Sequence, residues 1–200
     1  TERSRLPFTA GRRRSRLPKG KPAARRQIGR TDMKTVVCPG SFDPITNGHL
    51  DIIQRASGIF DRVIVLVASN QEKRNFFTAP ERKAMIEKVV RELNLSNVEV
   101  DTDDGLLVNY IQKVGASAIV KGLRAVSDFE YEFQMALTNH KLLPQCETIF
   151  FTTSSKNMYL SSSIVRQVGR LGGDITQFVP ECVYPEIHEK LLQSSKRQEV

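Results

Sequence analysis

The residues best suited to chemistry lie in segment 37–49, which reads Val-Cys-Pro-Gly-Ser-Phe-Asp-Pro-Ile-Thr-Asn-Gly-His. A β-branched run ends at Pro39-Gly40, and a turn-rich loop then leads to His49 at the start of an amphipathic segment. A strand, a tight loop and a helix N-terminus bind phosphates in α/β proteins, because free N–H groups and the helix dipole point at the anion. A histidine there can donate a further hydrogen bond to a phosphoryl oxygen. The segment therefore indicates nucleotide chemistry.

Other common sites are missing from the sequence. No G-x-G-x-x-G follows the first strand and no G-x-x-x-x-G-K-[ST] occurs, which excludes the usual dinucleotide and P-loop motifs. The carboxylates, including Asp103 and Asp104, show no metal-ligand spacing. Three separated cysteines without a C-x-x-C pair indicate a reducing cytoplasm rather than a disulfide framework or a zinc site. No apolar run approaches the ~20 residues that span a bilayer.

Strand and helix patterns alternate from Lys34 onward. The predicted strands are residues 35–38, 63–68, 98–101, 118–120 and 148–152. The predicted helices are residues 49–60, 78–93, 106–114, 127–143, 161–169 and 185–192, with capping boxes at Thr78/Glu81 and Ser127/Glu130. Strands that are apolar on both faces predict one Rossmann-like α/β domain over residues 33–193, a five-stranded parallel sheet with helices on both faces. Ligands bind such sheets beyond the carboxyl ends of the strands, where loops 39–49, 69–78 and 121–127 lie.

The basic charge of the chain belongs to its first residues. Residues 1–32 hold eleven of the 30 basic residues and two of the 22 acidic ones, so their net charge is +9 and that of the remainder is −1. This Arg-, Pro- and Gly-rich stretch predicts a disordered extension. We interpret Met33 as the natural start, so that residues 1–32 are non-native or a mis-assigned start; a targeting or RNA-binding arm is the alternative. Residues 194–200 are expected to fray.

Three segments, one of them within residues 37–49, carry a resemblance to a known family. Thr46-Asn47-Gly48-His49 resembles the T-x-G-H signature of the nucleotidylyltransferase superfamily, and residues 159–165, Tyr-Leu-Ser-Ser-Ser-Ile-Val, resemble its second signature. Residues 121–132, Lys-Gly-Leu-Arg-Ala-Val-Ser-Asp-Phe-Glu-Tyr-Glu, are similar to one branch, the bacterial phosphopantetheine adenylyltransferases. The likeness runs in order from about Met33 to Leu192.

This resemblance implies transfer of AMP from ATP to 4′-phosphopantetheine, which gives dephospho-coenzyme A and pyrophosphate. The implied mechanism is direct in-line attack on the α-phosphorus without a covalent enzyme intermediate, with Mg²⁺ bound mainly through the ATP phosphates. The resemblance also implies a cytoplasmic homohexamer that coenzyme A inhibits by feedback. It implies neither a nucleic-acid nor a membrane partner.

The resemblance further implies roles for individual residues. His49, Lys73 and Arg124 would be catalytic, with His49 stabilising the transition state. The implied ATP site comprises Ser41, Phe42, His49, Gly122, Leu123, Arg124, Glu132, Asn157, Met158, Tyr159, Leu160, Ser161, Ser162 and Ser163. The implied acceptor site comprises Ser41, Lys73, Leu106, Leu107 and Lys121. Serine at position 41 replaces the commoner threonine, and Lys121 stands where many relatives carry arginine and its bidentate fork.

Other interpretations stay open at this point. A related nucleotidylyltransferase could act on a different acceptor phosphate, the basic extension could bind nucleic acid, or the chain could be an inactive nucleotide-binding regulator. A lone histidine often packs in a core, a lysine such as Lys73 in a charged run usually faces water, and one serine of the triplet suffices as an N-cap. Removing residues 1–32 separates binding by the extension from ATP chemistry.

Overall fold

The apolar runs of the chain form a five-stranded, entirely parallel sheet in the order β3-β2-β1-β4-β5. The computed structural model describes residues 33–68, 75–124 and 126–196, without the side chains of residues 126–128 and 196. The strands are β1 (Thr35–Gly40), β2 (Arg62–Ala68), β3 (Val98–Asp103), β4 (Ala118–Leu123) and β5 (Glu147–Thr152). The sequence order reverses beside β1, which has β2 on one side and β4 on the other. This junction is where open α/β sheets bind ligands.

Six helices cover the sheet in the part of the chain that the structure describes. They are α1 (Asn47–Ser57), α2 (Ala79–Glu92), α3 (Leu107–Val114), α4 (Val126–Leu142), α5 (Ser162–Arg170) and α6 (Tyr184–Lys196), with short 3₁₀ turns at Ser155–Asn157 and Glu181–Val183. Buried residues of α1, α2, α5 and α6 share one apolar cluster, and those of α3 share another with Leu143. Alternate strand residues supply the two clusters: Val36 faces the first and Val37 the second. The predicted fold, with helices on both faces, is therefore confirmed.

Strands β1, β3 and β4 are longer at their carboxyl ends than predicted. Pairing of β1 with β2 continues to Gly40 opposite Val67, and pairing of β4 with β5 continues to Leu123 opposite Thr152. Pro39 interrupts the apolar run and hides this continuation in the sequence. As a result Lys121 and Gly122 lie within a strand rather than in a loop, and the sheet itself positions them.

All six helices differ from prediction by at least one residue at one or both ends, and the differences at α1, α4 and α6 are the most informative. Helix α1 begins at Asn47 and ends at Ser57, because Thr46 caps its start and Gly58 its end. Helix α4 already includes Ser127, so the predicted N-cap lies inside the helix. Helix α6 continues to Lys196, so fraying of residues 194–196 is wrong: the hydroxyl of Ser195 donates to the carbonyl of Arg170 at 2.6 Å.

Three predictions concern residues that the structure does not describe, namely the disorder of residues 1–32, the role of Lys73 and the fraying of 197–200. Residues 33–200 form one unit of the chain and residues 1–32 another. Within the described ranges, no helix combines the length and the apolar character needed to cross a membrane.

Candidate active site

A cavity of about 450 Å³ opens at the carboxyl ends of β1 and β4. It lies at the junction where the sequence order of the sheet reverses, with α1 as one wall. Eight residues of the predicted site line it: Ser41, Phe42, His49, Lys121, Gly122, Arg124, Glu132 and Leu160. The structure therefore brings together residues that are up to 119 positions apart in the sequence, from 41 to 160.

Thr46 and His49 close the N-terminus of α1 on each other. The Thr46 Oγ1 accepts from the backbone N–H of His49 at 3.3 Å, and the backbone N–H of Thr46 donates to the His49 Nδ1 at 3.1 Å. This is a capping box in which histidine takes the position usual for Glu or Gln. Because Nδ1 is the acceptor, the proton of the neutral ring lies on Nε2. The T-x-G-H spacing thus sets the tautomer that can donate to a ligand.

The imidazole of His49 is neutral at physiological pH. Burial, with the Arg124 cation adding to the effect, lowers the pKa of His49 to about 4. The Phe42 ring meets the imidazole edge-on, with the ring centroids 5.1 Å apart. A neutral, immobilised ring of this kind is a hydrogen-bond donor to developing negative charge rather than a proton source.

The loop after β1 has an unusual backbone that its neighbours stabilise. Phe42 has φ of +46°, in the left-handed region that L-residues rarely adopt. Glycine is needed at position 40, because a Cβ there would come within 2.9 Å of the Phe42 ring. Asp43 is buried, and its carboxylate accepts from the backbone N–H groups of Phe76 and Phe77 at 2.8 and 2.7 Å.

Contacts from α5 reach the same loop. Arg166 donates to the carbonyl oxygen of Asp43 and forms an ion pair with its carboxylate, at 3.3 Å. The hydroxyl of Ser162 donates to the carbonyl of Pro44 at 2.8 Å. The start of α5 is therefore joined to the loop that leads into α1, and the two helix N-termini are held in one arrangement.

Two cations line the cavity from the end of β4. Lys121 forms an ion pair with Glu132 of α4 at 3.2 Å, and both side chains are partly buried. Arg124 donates to the carbonyl of Leu160 at 2.6 Å. Between them Gly122 allows α1 to approach, since a Cβ at this position would lie 2.9 Å from the Ile52 Cγ1.

A second, smaller cavity of about 220 Å³ adjoins the first. Ser41 and Lys121 line both cavities, and Leu107, Asp103 and Asn75 line the second. A hydroxyl and an ammonium group thus lie at the boundary, where two ligands could bring their phosphates together.

Comparison with known proteins agrees with this geometry. Residues 37–168 match the model of the cytidylyltransferase-like family. Over 158 residues the chain is 55% identical to the phosphopantetheine adenylyltransferase of Alkaliphilus metalliredigens, with 79% of this chain and 99% of that protein covered. It is 52% identical over 162 residues to the enzyme of that name from Caldanaerobacter subterraneus, with 81% and 100% covered. The chain belongs to the phosphopantetheine adenylyltransferase family.

Solved structures with the same fold include more distant proteins. The bifunctional NMN adenylyltransferase/ADP ribose pyrophosphatase of Francisella tularensis matches with a TM-score of 0.64 at 17% identity, over 84% of this chain and 54% of that one. The nicotinic acid mononucleotide adenylyltransferase of Plasmodium falciparum matches with a TM-score of 0.59 at 14% identity, over 82% and 96%. At these identities the likeness shows the fold alone.

The serine signature of the family lies beside the cavity rather than in its wall. Ser161 is the N-cap of α5 and accepts from the N–H of Ile164 at 3.1 Å. The Ser163 hydroxyl accepts from Arg166 at 3.4 Å, and that of Ser162 is bound to Pro44. All three hydroxyls therefore have hydrogen-bond partners within the protein. By contrast, the backbone N–H groups in the first turn of a helix such as α5 have no carbonyl partner within that helix. Of the predicted segment 157–163, Leu160 lines the cavity.

The remaining predicted residues of this family site are dispersed. Asn157 is buried and donates to the carbonyl of Asn47 at 3.3 Å, and Tyr159 lines a separate surface cavity of about 330 Å³ with it. Met158 is 52% exposed. Leu107 lines the second cavity, whereas the neighbouring Leu106, also 52% exposed, is not among its described lining residues. Leu123 ends β4, where its carbonyl accepts from Thr153 at 2.9 Å. Lys73 lies outside the described residues.

Several residues that shape the family's site escape sequence reasoning. Arg82 and Arg166 hold the loop after β1 from other elements and Asp43 holds it from within, and their contacts join residues 14 to 123 positions apart. No local spacing indicates such pairs. One signal was available: Thr46 and His49 have the three-residue spacing of a capping box, which predicts their mutual hydrogen bonds.

Proposed function

We propose that this chain transfers AMP from ATP to 4′-phosphopantetheine, giving dephospho-coenzyme A and pyrophosphate. The observation that carries the proposal is the pair of adjoining cavities with Ser41 and Lys121 at their boundary and the neutral His49 in the larger one. The larger cavity would hold ATP and the smaller the acceptor. The names of the closely similar relatives supply the identity of the acceptor.

The reaction is a direct in-line displacement. An oxygen of the acceptor phosphate forms a bond to the α-phosphorus as the bond to the bridging oxygen breaks, and that oxygen leaves with pyrophosphate. The Nε2–H of His49 donates to an α-phosphate oxygen as charge builds there. The Cys38 thiol also lines the larger cavity, but burial raises its pKa to about 12, so it is protonated and a poor nucleophile. This supports a mechanism without a covalent enzyme intermediate.

The cations bind and orient the phosphates. Lys121 lies at the boundary of the two cavities, where it would contact the acceptor phosphate while Glu132 keeps its side chain in place. Arg124, anchored to the Leu160 carbonyl, would contact the ATP phosphates together with Gly122 and Leu123. Lys73 is proposed as a further catalytic cation by resemblance alone. Positioning of two anions supplies much of the rate of such transfers.

Magnesium fits this site as an ion that the ATP phosphates carry. Among the described residues no three Cys, His, Asp or Glu side chains group into a metal site, and the nearby Glu132 is paired with Lys121. The ion would neutralise charge on the phosphates when bound. Magnesium prefers oxygen ligands, and the hydroxyls of Ser41 and Thr153 in the cavity wall would offer it neutral oxygens.

The assembly and its regulation are further parts of the proposal. Helix α4 exposes the apolar side chains Phe129, Tyr131, Phe133 and Leu137, of which Phe129 and Phe133 stack at 5.6 Å. Such a surface supports burial between copies, as in the proposed homohexamer. Coenzyme A resembles the product and would inhibit by occupying both cavities. The three free cysteines support the cytoplasm as the location.

The test is pyrophosphate release from ATP and Mg²⁺ with 4′-phosphopantetheine. We expect turnover by the full chain and by a chain beginning at Met33, and its loss in His49→Ala. His188→Ala, the same change on α6, is the matched control and should remain active, since His188 packs on Tyr184. Turnover only with another phosphate acceptor, such as nicotinate mononucleotide or glycerol phosphate, would contradict the proposed substrate. Binding of ATP without any turnover would favour a nucleotide-binding regulator.

A further inference from the structure

Arg82 of α2 is more deeply buried than any other charged side chain in the described part of the chain, with 1% exposure. It shares the buried face of α2 with Met85, Ile86 and Val89. Burying a guanidinium group costs several kcal/mol of folding free energy unless its charge and N–H groups are compensated. An apolar residue would suit this face better, so the contacts of Arg82 must account for its presence.

These contacts are with backbone rather than with a carboxylate. Its Nη1 donates to the carbonyl oxygen of Ser41 at 2.6 Å and to that of Ala68 at 3.2 Å. Its Nε is buried and has no hydrogen-bond partner among the described residues. No described carboxylate forms an ion pair with Arg82, because the nearby Asp43 is bound to Arg166 and to backbone N–H groups. The pairing is too incomplete to explain the burial by stability alone.

The two carbonyls lie at the site. Ser41 directly follows β1 and lines both cavities, and Ala68 ends β2 and lines the smaller one. Arg82 lines neither cavity within the described residues. It therefore joins the ends of two neighbouring strands from beneath the boundary of the cavities.

The bond to Ser41 also orients the next amide. In a trans peptide the carbonyl of one residue and the N–H of the next point in opposite directions. Since the Ser41 carbonyl points at Arg82, the N–H of Phe42 points away from it. Phe42 has the left-handed φ of +46°, a conformation that is unfavourable for a residue with a side chain and needs support from its surroundings.

We propose that Arg82 is a positioning residue for adenylyl transfer, holding the Ser41–Phe42 peptide so that the Ser41 hydroxyl and the Phe42 N–H meet the reacting phosphates. This role rests on the proposed function. Arg82 touches no substrate; it acts through the peptide group that it binds. Its loss misplaces the phosphate ligands while both substrates still bind.

The test compares kcat and KM in Arg82→Met, which keeps an unbranched side chain as far as the position of Nε and removes the N–H groups. The variant is expected to fold, because an apolar side chain suits the buried face of α2 that Arg82 shares with Met85, Ile86 and Val89. We expect kcat to fall about 10- to 100-fold, as for small misplacements of reacting groups, with a much smaller change in KM for ATP. Arg82→Lys, whose Nζ reaches one bond less far than Nη1, should recover part of the rate.

Val89→Ala is the matched control for loss of stability. Val89 is 1% exposed on the same face of α2, and its truncation lowers the melting temperature without touching the loop. We expect wild-type kcat in this variant below its melting temperature. A kcat that falls as much in Val89→Ala as in Arg82→Met would overturn the positioning role, as would an unchanged kcat in Arg82→Met.

The remaining outcomes separate a folding defect and a wrong substrate from a failure of the proposed role of Arg82. If Arg82→Met does not fold, Arg82→Gln replaces it, with a polar side chain of about the same length as methionine and the same criteria. A wild type that fails to use 4′-phosphopantetheine refutes the proposed function and this role with it. An active wild type with an equally active Arg82 variant refutes the role of Arg82 alone.

Discussion

The N-termini of α1 and α5 carry the two signature segments and use their side chains in opposite ways. At α1, Thr46 and His49 cap the helix through their own mutual hydrogen bonds, and the imidazole still has Nε2–H to offer. At α5, the hydroxyls of Ser161, Ser162 and Ser163 are all engaged with protein groups. Comparison of these two ends indicates that a side chain at a helix start can bind a ligand only when the capping hydrogen bonds leave one of its donors or acceptors unused.

This difference predicts different ligands at the two ends. The α1 end would act on the α-phosphate with a side chain, whereas the α5 end would bind phosphates with backbone N–H groups. The links from Ser162 and Arg166 to residues 43–44 keep the two ends in one arrangement. Variants at each end can test this division.

The largest effect is expected at the side-chain end. His49→Gln should lower kcat by about 100- to 1,000-fold, the usual loss for one hydrogen-bond donor to developing charge. Ser162→Ala should lower kcat far less, because its N–H remains and only the bond to Pro44 is lost. Steady-state kinetics at saturating ATP checks both variants. Equal losses in the two would mean that the serine hydroxyl, too, acts in the transition state.

A smaller effect on binding is expected at Gly48. A Cβ there would make ordinary contacts, 3.6 Å from the Thr46 Oγ1 and 3.7 Å from the Asn157 Cβ, so Gly48→Ala should fold normally. If ATP approaches this backbone closely, its Kd should rise about tenfold, equivalent to about 1.4 kcal/mol. Calorimetric titration with ATP measures this. Unchanged affinity in the folded variant would show that Gly48 serves no close approach.

The neutral state of His49 predicts a pH dependence of stability. Its pKa falls from 6.5 to about 4 on folding, so the unfolded chain binds the extra proton between these values. The contribution of His49 to the free energy of unfolding is complete above pH 6.5 and declines toward pH 4, by up to about 1.4 kcal/mol per pH unit. Urea unfolding of wild type and His49→Gln between pH 4 and 8 measures it. Parallel curves would show that the imidazole is not held neutral.

The smallest effects concern the two caps. Ser161→Ala and Thr46→Val should each lower the free energy of unfolding by about 1 kcal/mol, the usual value of an N-cap. We expect Thr46→Val also to lower kcat modestly, because it loosens His49, and Ser161→Ala to spare kcat. Chemical denaturation together with kinetics compares them. A larger loss of kcat in Ser161→Ala would contradict the comparison.

Much of the fold follows from local pattern. Apolar runs such as residues 63–67 are buried on both faces, as a parallel sheet requires, and the Thr78/Glu81 box correctly marks the start of α2. The ends of β1 and β4 were missed, since Pro39 and Gly122 disfavour strands locally while pairing with neighbours extends them. Tertiary hydrogen bonding overrides propensity at these places.

Some features of the site also follow from local sequence spacing, and others depend on long-range contacts. The sequence determined the residue types at the strand ends and the spacing of Thr46 and His49, because a capping box depends on neighbours three residues apart. Which residues share a cavity depends on tertiary packing, as does the way in which Asp43, Arg82 and Arg166 hold its loop. Their contacts span 14 to 123 residues and exist only once the sheet and helices have packed. The neutral charge state of His49 is likewise a property of burial, which no local spacing contains.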